Sequence, residues 1–239
     1  MLQGTANIDE LSRRAPFVTI DPEKSIQLGD VQWLQFTYEV PGDRQSLLPP
    51  TLSPTTPSIL TLQIWRAAGG DLGEFGLAQA RISCRAGVRI RTFLLQSVID
   101  GQHAAKVLGP AFGYLSTQGT VAIQLRSDKI TAHVQSNNRC VAEGELTNLR
   151  SLEPSALQHI ENMQLANTPD GVRLVQVEPH ITTNSVLRGS PSLSTFDSAF
   201  WNIPGRKLKS SVIGASAETK ITLVPIRYVQ EVHSQPLSP

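Results

Sequence analysis

From Ile59 onward the apolar positions recur at every second residue. Leu60, Leu62 and Ile64 alternate with Thr61, Gln63 and Trp65, and Val88, Ile90, Thr92, Leu94 and Gln96 alternate with Arg89, Arg91, Phe93, Leu95 and Ser97. That period belongs to β-strands, whose successive side chains point to opposite faces. Val31 to Val40, rich in aromatic and β-branched residues, predicts the first secure strand. Further strands are expected over Thr120 to Leu125, Lys129 to Gln135, Cys140 to Leu146, Val172 to Val177, Ile181 to Leu187, Pro191 to Phe196 and Thr219 to Val229. A two-residue turn at Asn137-Asn138 joins the second and third of these segments.

Helices are few. Asp100 is a good N-cap for a short helix through Ala104, Ala105, Lys106 and Leu108, which Gly109-Pro110 is expected to stop. A second is expected over Ser155 to Leu165, after Pro154, with Leu157, Ile160, Met163 and Leu165 apolar. Asp43 to Leu48 suits one helical turn. Residues 1–30, polar and carrying Pro16 and Pro22, predict an arm. The four prolines at 49, 50, 54 and 57 predict a stiff loop inside one domain, because strands resume at Ile59. About ten strands and two or three short helices define a mainly β (α+β) chain: a single-domain antiparallel conical β-barrel over residues 31–232, with a tail at 233–239.

Composition narrows the partners. Lys plus Arg number 21 against 20 for Asp plus Glu, so no net basic charge favours nucleic acid. No stretch approaches the roughly 18 uninterrupted apolar residues of a membrane helix. Cys84 and Cys140 are too few for a disulfide framework, and the first residues lack a leader pattern, so a cytoplasmic protein is expected. The histidines at 103, 133, 159, 180 and 233 show no metal-ligand spacing, so neither metal nor cofactor is expected. Dinucleotide, P-loop and Gly-x-Ser-x-Gly motifs are also missing.

The segment Asp100 to Tyr114, placed between two strands, resembles the active-site turn of the acetoacetate decarboxylase family. The family pattern is roughly Gly-Arg-Glu, two or three residues, Tyr or Phe, Pro, Lys-Lys, and one lysine forms the Schiff base with the keto acid. Aligned on Ala105-Lys106 for Arg-Glu, this chain has Phe112 and Gly113 where the lysines stand. Asp43 to Leu52, Val98-Ile99-Asp100, and Gly189 to Phe196 with Ile203-Pro204 and Val212 to Ser216 are similar to other family segments, so the likeness spans about Thr37 to Val229. The family's substrate-placing Glu and Arg fall at about Leu77 and Glu39 here. The resemblance therefore implies an acetoacetate decarboxylase-like barrel, a homo-oligomer of two or more chains, and loss of the imine reaction, which needs a neutral amine near pH 7.

On that alignment the inward set is Trp65, Leu77, Gln96, Val98, Phe112 and Tyr114, around an apolar cavity with Glu39 and Gly113 at its edge. A hydrophobic keto, enol or polyketide-type intermediate suits such a pocket, with cyclisation, isomerisation or dehydration promoted by Tyr114, Gln96, His103 or Lys106 polarising a carbonyl. The plainer reading of His103 and Lys106 is a solvated helix surface. Arg81, Arg85, Arg89 and Arg91 either form a solvated face or supply an inward carboxylate clamp. His133 and Cys140 share a face of their hairpin, with no third orienting residue identifiable. Two rivals stand beside the cyclase or isomerase: a decarboxylase or aldolase-type lyase using Lys106, Lys207 or Lys209, and a non-catalytic small-molecule-binding protein.

Overall fold

The computed structural model describes residues 2–21, 24–226 and 228–232. Pro22, the 233–239 tail and His233 lie outside the described residues. In chain order the elements are α1 (Ile8–Arg14), β1 (Ile26–Glu39), β2 (Ser53–Pro54), β3 (Ile59–Ala68), β4 (Glu74–Ala86), β5 (Arg89–Asp100), α2 (Gln102–Phe112), β6 (Ser116–Leu125), β7 (Ile130–Ser136), β8 (Arg139–Leu152), β9 (Asn162–Thr168), β10 (Gly171–Val177), β11 (Pro179–Phe196), β12 (Ser211–Leu223) and β13 (Tyr228–Glu231). Single 3-10 turns occupy Gln45–Leu47 and Pro154–Ala156.

Pairing runs β5-β6-β7-β8-β11-β12-β1-β3-β4, and β4 pairs back onto β5. The ring is thereby closed, which leaves no open edge within it. β9, β10 and β13 extend from β5 outside the ring, and β2 pairs with β4. All pairs are antiparallel except β5–β6 and β5–β9. The first exception follows from connectivity: α2 carries the chain from the end of β5 back to the start of β6, as a parallel crossover requires.

Four expectations need correction. The expected helix at Ser155 to Leu165 is a 3-10 turn, a loop and then β9, where Asn162, Met163, Gln164 and Leu165 are all buried between β5 and β10. β9 is buried on both faces, and four consecutive buried residues read equally well as an apolar helix. The two segments Ile181 to Leu187 and Pro191 to Phe196 form one strand, β11, and Thr219 to Val229 is divided between β12 and β13. The barrel's first strand begins at Ile26, before the expected arm ends. α2 starts at Gln102 and passes through Gly109-Pro110. Pro110 lacks the N–H that would bond the Lys106 carbonyl, and both residues are exposed.

The β1, β3, β4 and β5 wall has a packed core on each face. Leu34, Phe36, Leu62, Ile64 and Ala80 meet Val121, Val134 and Leu146 from across the ring. The alternate residues Trp33, Trp65, Leu77 and Leu94 meet Leu108, Phe112 and Tyr114 of the α2 segment and Val175 of β10. Both faces being buried, polar residues on the second face are withdrawn from water, and that is where the candidate site forms.

Candidate functional site

Register sets the polar positions of the second face. β1, β3 and β4 place Gln35, Gln63 and Gln79 directly side by side, with Ser97 of β5 next in the row. One step along, Thr37, Thr61 and Arg81 form the next row. Gln63, Gln79, Arg81 and Ser97 are all buried. Gln35, Thr61, Gln63, Trp65, Arg81 and Thr92 form the floor of a cavity of about 50 Å³. The segment bearing His159 and the start of β11, with Ile181, wall its other side.

Arg81 is 6% exposed. Its Nη2 donates to Gln79 Oε1, while its Nε has no partner. Among the described residues no carboxylate lies within ion-pair distance of it. Arg91, similarly buried, is neutralised by Glu161 at 2.5 Å and also donates to Gln176. Burial lowers the Arg81 guanidinium from 12.5 to about 10, opposed by the nearby Tyr114. The Tyr114 phenol is pushed up to about 12 by its own burial, against the pull of Arg81, and so stays protonated. On the same face further buried atoms lack partners: the donors Gln79 Nε2, Trp65 Nε1 and Trp33 Nε1 and the acceptor Gln63 Oε1.

His159 packs edge-on to Trp33, ring centroids 5.7 Å apart. Its Nε2 lies 3.4 Å from Thr183 Oγ1, and its Nδ1 is buried without a partner. Burial first, and the Arg81 charge second, lower its pKa below the ordinary 6.5, which keeps the ring neutral at pH 7. A site with one buried cation, several unfilled N–H donors and a neutral imidazole is built to receive an anion bearing a further acceptor.

The structure divides the sequence-derived site residues. Trp65, Leu77, Phe112 and Tyr114 meet in the second core, and of the four only Trp65 lines the cavity. The Phe112 and Tyr114 rings lie 6.4 Å apart, tilted by 37°, with Gly113 between them closing α2 at φ +75°. A Cβ on Gly113 would meet Val175 at 3.2 Å, so the turn needs glycine for conformation and for space. Gln96 and Val98 face the other core. The register slips between Ala80 and Arg81, so that Gln96 pairs with Ala80 and its amide bonds the Ser97 carbonyl and Asn202. A one-residue bulge moves everything beyond it to the opposite face. His103 and Lys106 are exposed on α2 and do not reach the cavity. Glu39 is half-buried at the end of β1, where its backbone bonds Lys209 and Ser210.

The cavity is also polar where an apolar one was expected, because the second face of β3 carries Thr61, Gln63 and Trp65 rather than its aliphatic partners. Arg81 takes the inward place that the arginine cluster left open, whereas Arg85 and Arg89 are exposed. None of the lysines is buried: Lys24, Lys106, Lys207, Lys209 and Lys220 are exposed, and Lys129, half-buried, pairs with Glu145 at 2.8 Å. A larger cavity of about 450 Å³ lies between α1 and the 199–206 turn. None of the unpartnered buried side-chain atoms lines it, so it lacks the chemistry gathered around Arg81.

No protein-family profile matches the chain, and no curated protein matches it. Solved structures do, and they define its fold as acetoacetate decarboxylase-like. An acetoacetate decarboxylase superposes with a TM-score of 0.76 at 17% identity, covering 87% of this chain and 91% of that one. Acetoacetate decarboxylase from Legionella pneumophila subsp. pneumophila str. Philadelphia 1 gives 0.75 at 16% identity, over 94% and 96%. The enduracididine biosynthesis enzyme MppR complexed with pyruvate gives 0.70 at 18% identity, over 87% and 91%. No helix among the described residues is long and apolar enough to cross a membrane.

Proposed function

We propose that this protein is an enzyme that binds a small keto or enol acid in the Arg81 cavity and moves a proton on it without forming an imine. The observation that carries this reading is the guanidinium of Arg81, taken out of water with no carboxylate opposite it among the described residues. A buried ion left unpaired costs several kcal/mol, and an anionic ligand recovers that cost. The ligand carboxylate lies on Arg81, Trp65 Nε1 and Gln79 Nε2 donate to the adjoining carbonyl oxygen, and Gln63 Oε1 accepts from the hydroxyl of an enol. Tyr114, near enough to feel the Arg81 charge, stays a neutral phenol and leaves that charge for the ligand. His159, neutral at pH 7, exchanges the proton at the carbon next to the carbonyl.

A polar cavity of about 50 Å³ favours a ligand of only a few heavy atoms over the hydrophobic or polyketide-type intermediate expected from the sequence. The pyruvate carried by MppR, of the same fold, belongs to this class of small oxo acids. Isomerisation or dehydration of such an acid fits these groups, and no lysine stands near to make it a Schiff-base lyase. The test is solvent deuterium exchange into pyruvate, followed by proton NMR. The wild type is expected to accelerate exchange, His159→Gln to bind without exchanging, and Arg81→Met to do neither. Binding by the wild type with no exchange or turnover of any oxo acid would leave a carboxylate-binding protein instead.

A further inference from the structure

The hairpin of β7 and β8 carries side chains that the cavity does not use. It turns through Asn137 and Asn138 at φ +50° and +59°, as a two-residue turn of the I′ class requires. Gln135 pairs with Cys140, but the register then slips, so that Val134 meets Ala142 and His133 meets Glu143. Val141 is the extra residue. In a regular strand Cys140 and Glu143, three apart, would face opposite ways; the bulge turns both toward His133. Consecutive burial of Val141 and Ala142 records the same change of phase.

As a result His133 Nδ1 stands 3.8 Å from Cys140 Sγ and 3.7 Å from Glu143 Oε1. All three ligand atoms lie within 4.8 Å of one another. Thiol and carboxylate approach the same ring nitrogen. A nucleophilic relay needs them on opposite nitrogens, and it needs surroundings that favour a thiolate. Here burial, and then the Glu143 charge, raise the Cys140 pKa. Sulfur, nitrogen and oxygen converging on one point is the arrangement of ligands. With metal–ligand distances of about 2.0–2.3 Å, the edges of a tetrahedral zinc site measure about 3.3–3.6 Å, a few tenths of an ångström shorter than the two distances from His133 Nδ1. Neighbours on β11 support the group. Ser194 Oγ donates to the Glu143 carboxylate at 3.3 Å, and Thr195 hydrogen-bonds Cys140.

We propose that His133 Nδ1, Cys140 Sγ and the Glu143 carboxylate bind a zinc-class divalent cation, Cys140 releasing its thiol proton to solvent, with water as the fourth ligand on the exposed side. A set of sulfur, nitrogen and oxygen selects such an ion over magnesium or calcium, which take oxygen. The test uses reduced, full-length protein stripped with chelator and titrated with Co²⁺. Expected is a near-ultraviolet thiolate-to-cobalt charge-transfer band that saturates at one ion per chain and is displaced by Zn²⁺. Cys140→Ser should abolish it, and His133→Ala and Glu143→Gln should each weaken binding about tenfold or more, while Cys84→Ala leaves it intact. Melting curves in chelator identify folded variants, and any one of the three that folds carries the comparison. No band at excess cobalt, or a band that survives Cys140→Ser, would overturn the site.

Discussion

Replacing Arg81 by methionine separates a cation kept for a ligand from one kept for the fold. Burial lowers the guanidinium from 12.5 to about 10. At about 1.4 kcal/mol per pH unit, that is a penalty of about 3 kcal/mol on the charged form, which methionine removes. The substitution also strips Gln79 Oε1 of its donor, a loss of about 1–3 kcal/mol. The difference leaves Arg81→Met between unchanged and about 2 kcal/mol more stable, a rise in Tm of at most roughly 8 °C for a chain of this size. Thermal and urea unfolding with and without pyruvate read both sides of the argument. At tenfold excess over Kd, ligand should stabilise the wild type by about 1.4 kcal/mol and the variant not at all. Losing one partner of a buried ion pair costs about 3–5 kcal/mol. A loss of that size in Arg81→Met, or ligand stabilisation retained by it, would refute the reasoning.

The depressed pKa of His159 makes a prediction about acid. The unfolded histidine takes up a proton near 6.5 that the folded one refuses until lower pH. The unfolded chain therefore binds more protons in that window, and stability falls as the pH drops below 6.5. His159→Gln should flatten this limb in urea unfolding from pH 7 to 5, and an unchanged limb would show that His159 titrates normally. Borohydride reduction with acetoacetate or pyruvate present should leave every lysine unmodified by mass spectrometry. An adduct on Lys106, Lys207 or Lys209 would restore the lyase. Light scattering should report a homo-oligomer of two or more chains; a monomer at micromolar concentration would contradict that expectation from the family likeness.

Period-two alternation revealed β3 and β5, and the Asp100 to Tyr114 segment carried the signals of both α2 and the missing lysines. What alternation could not tell was which face held the site, because both faces of this wall are buried. The aliphatic row Leu60, Leu62, Ile64 reads as inward on any amphipathic argument, yet the polar row Thr61, Gln63 is the one that borders the cavity. A usable signal was present in Gln35, Gln63 and Gln79, three amides on strands otherwise made of core residues. Bulges defeated the rest. One in β5 turned Gln96 and Val98 away, and one in β8 set Glu143 rather than Ala142 opposite His133. His159 was hidden by reading strand β9 as helix, since only long-range pairing with β5 and β10 distinguishes the two.

A crystal structure with pyruvate bound tests the central claim most directly. The carboxylate is predicted on the guanidinium of Arg81, with the keto oxygen within hydrogen-bond distance of Trp65 Nε1 or the Gln63 and Gln79 amides. Pyruvate seated instead beneath α1, or a protein carboxylate closing on Arg81, would contradict it.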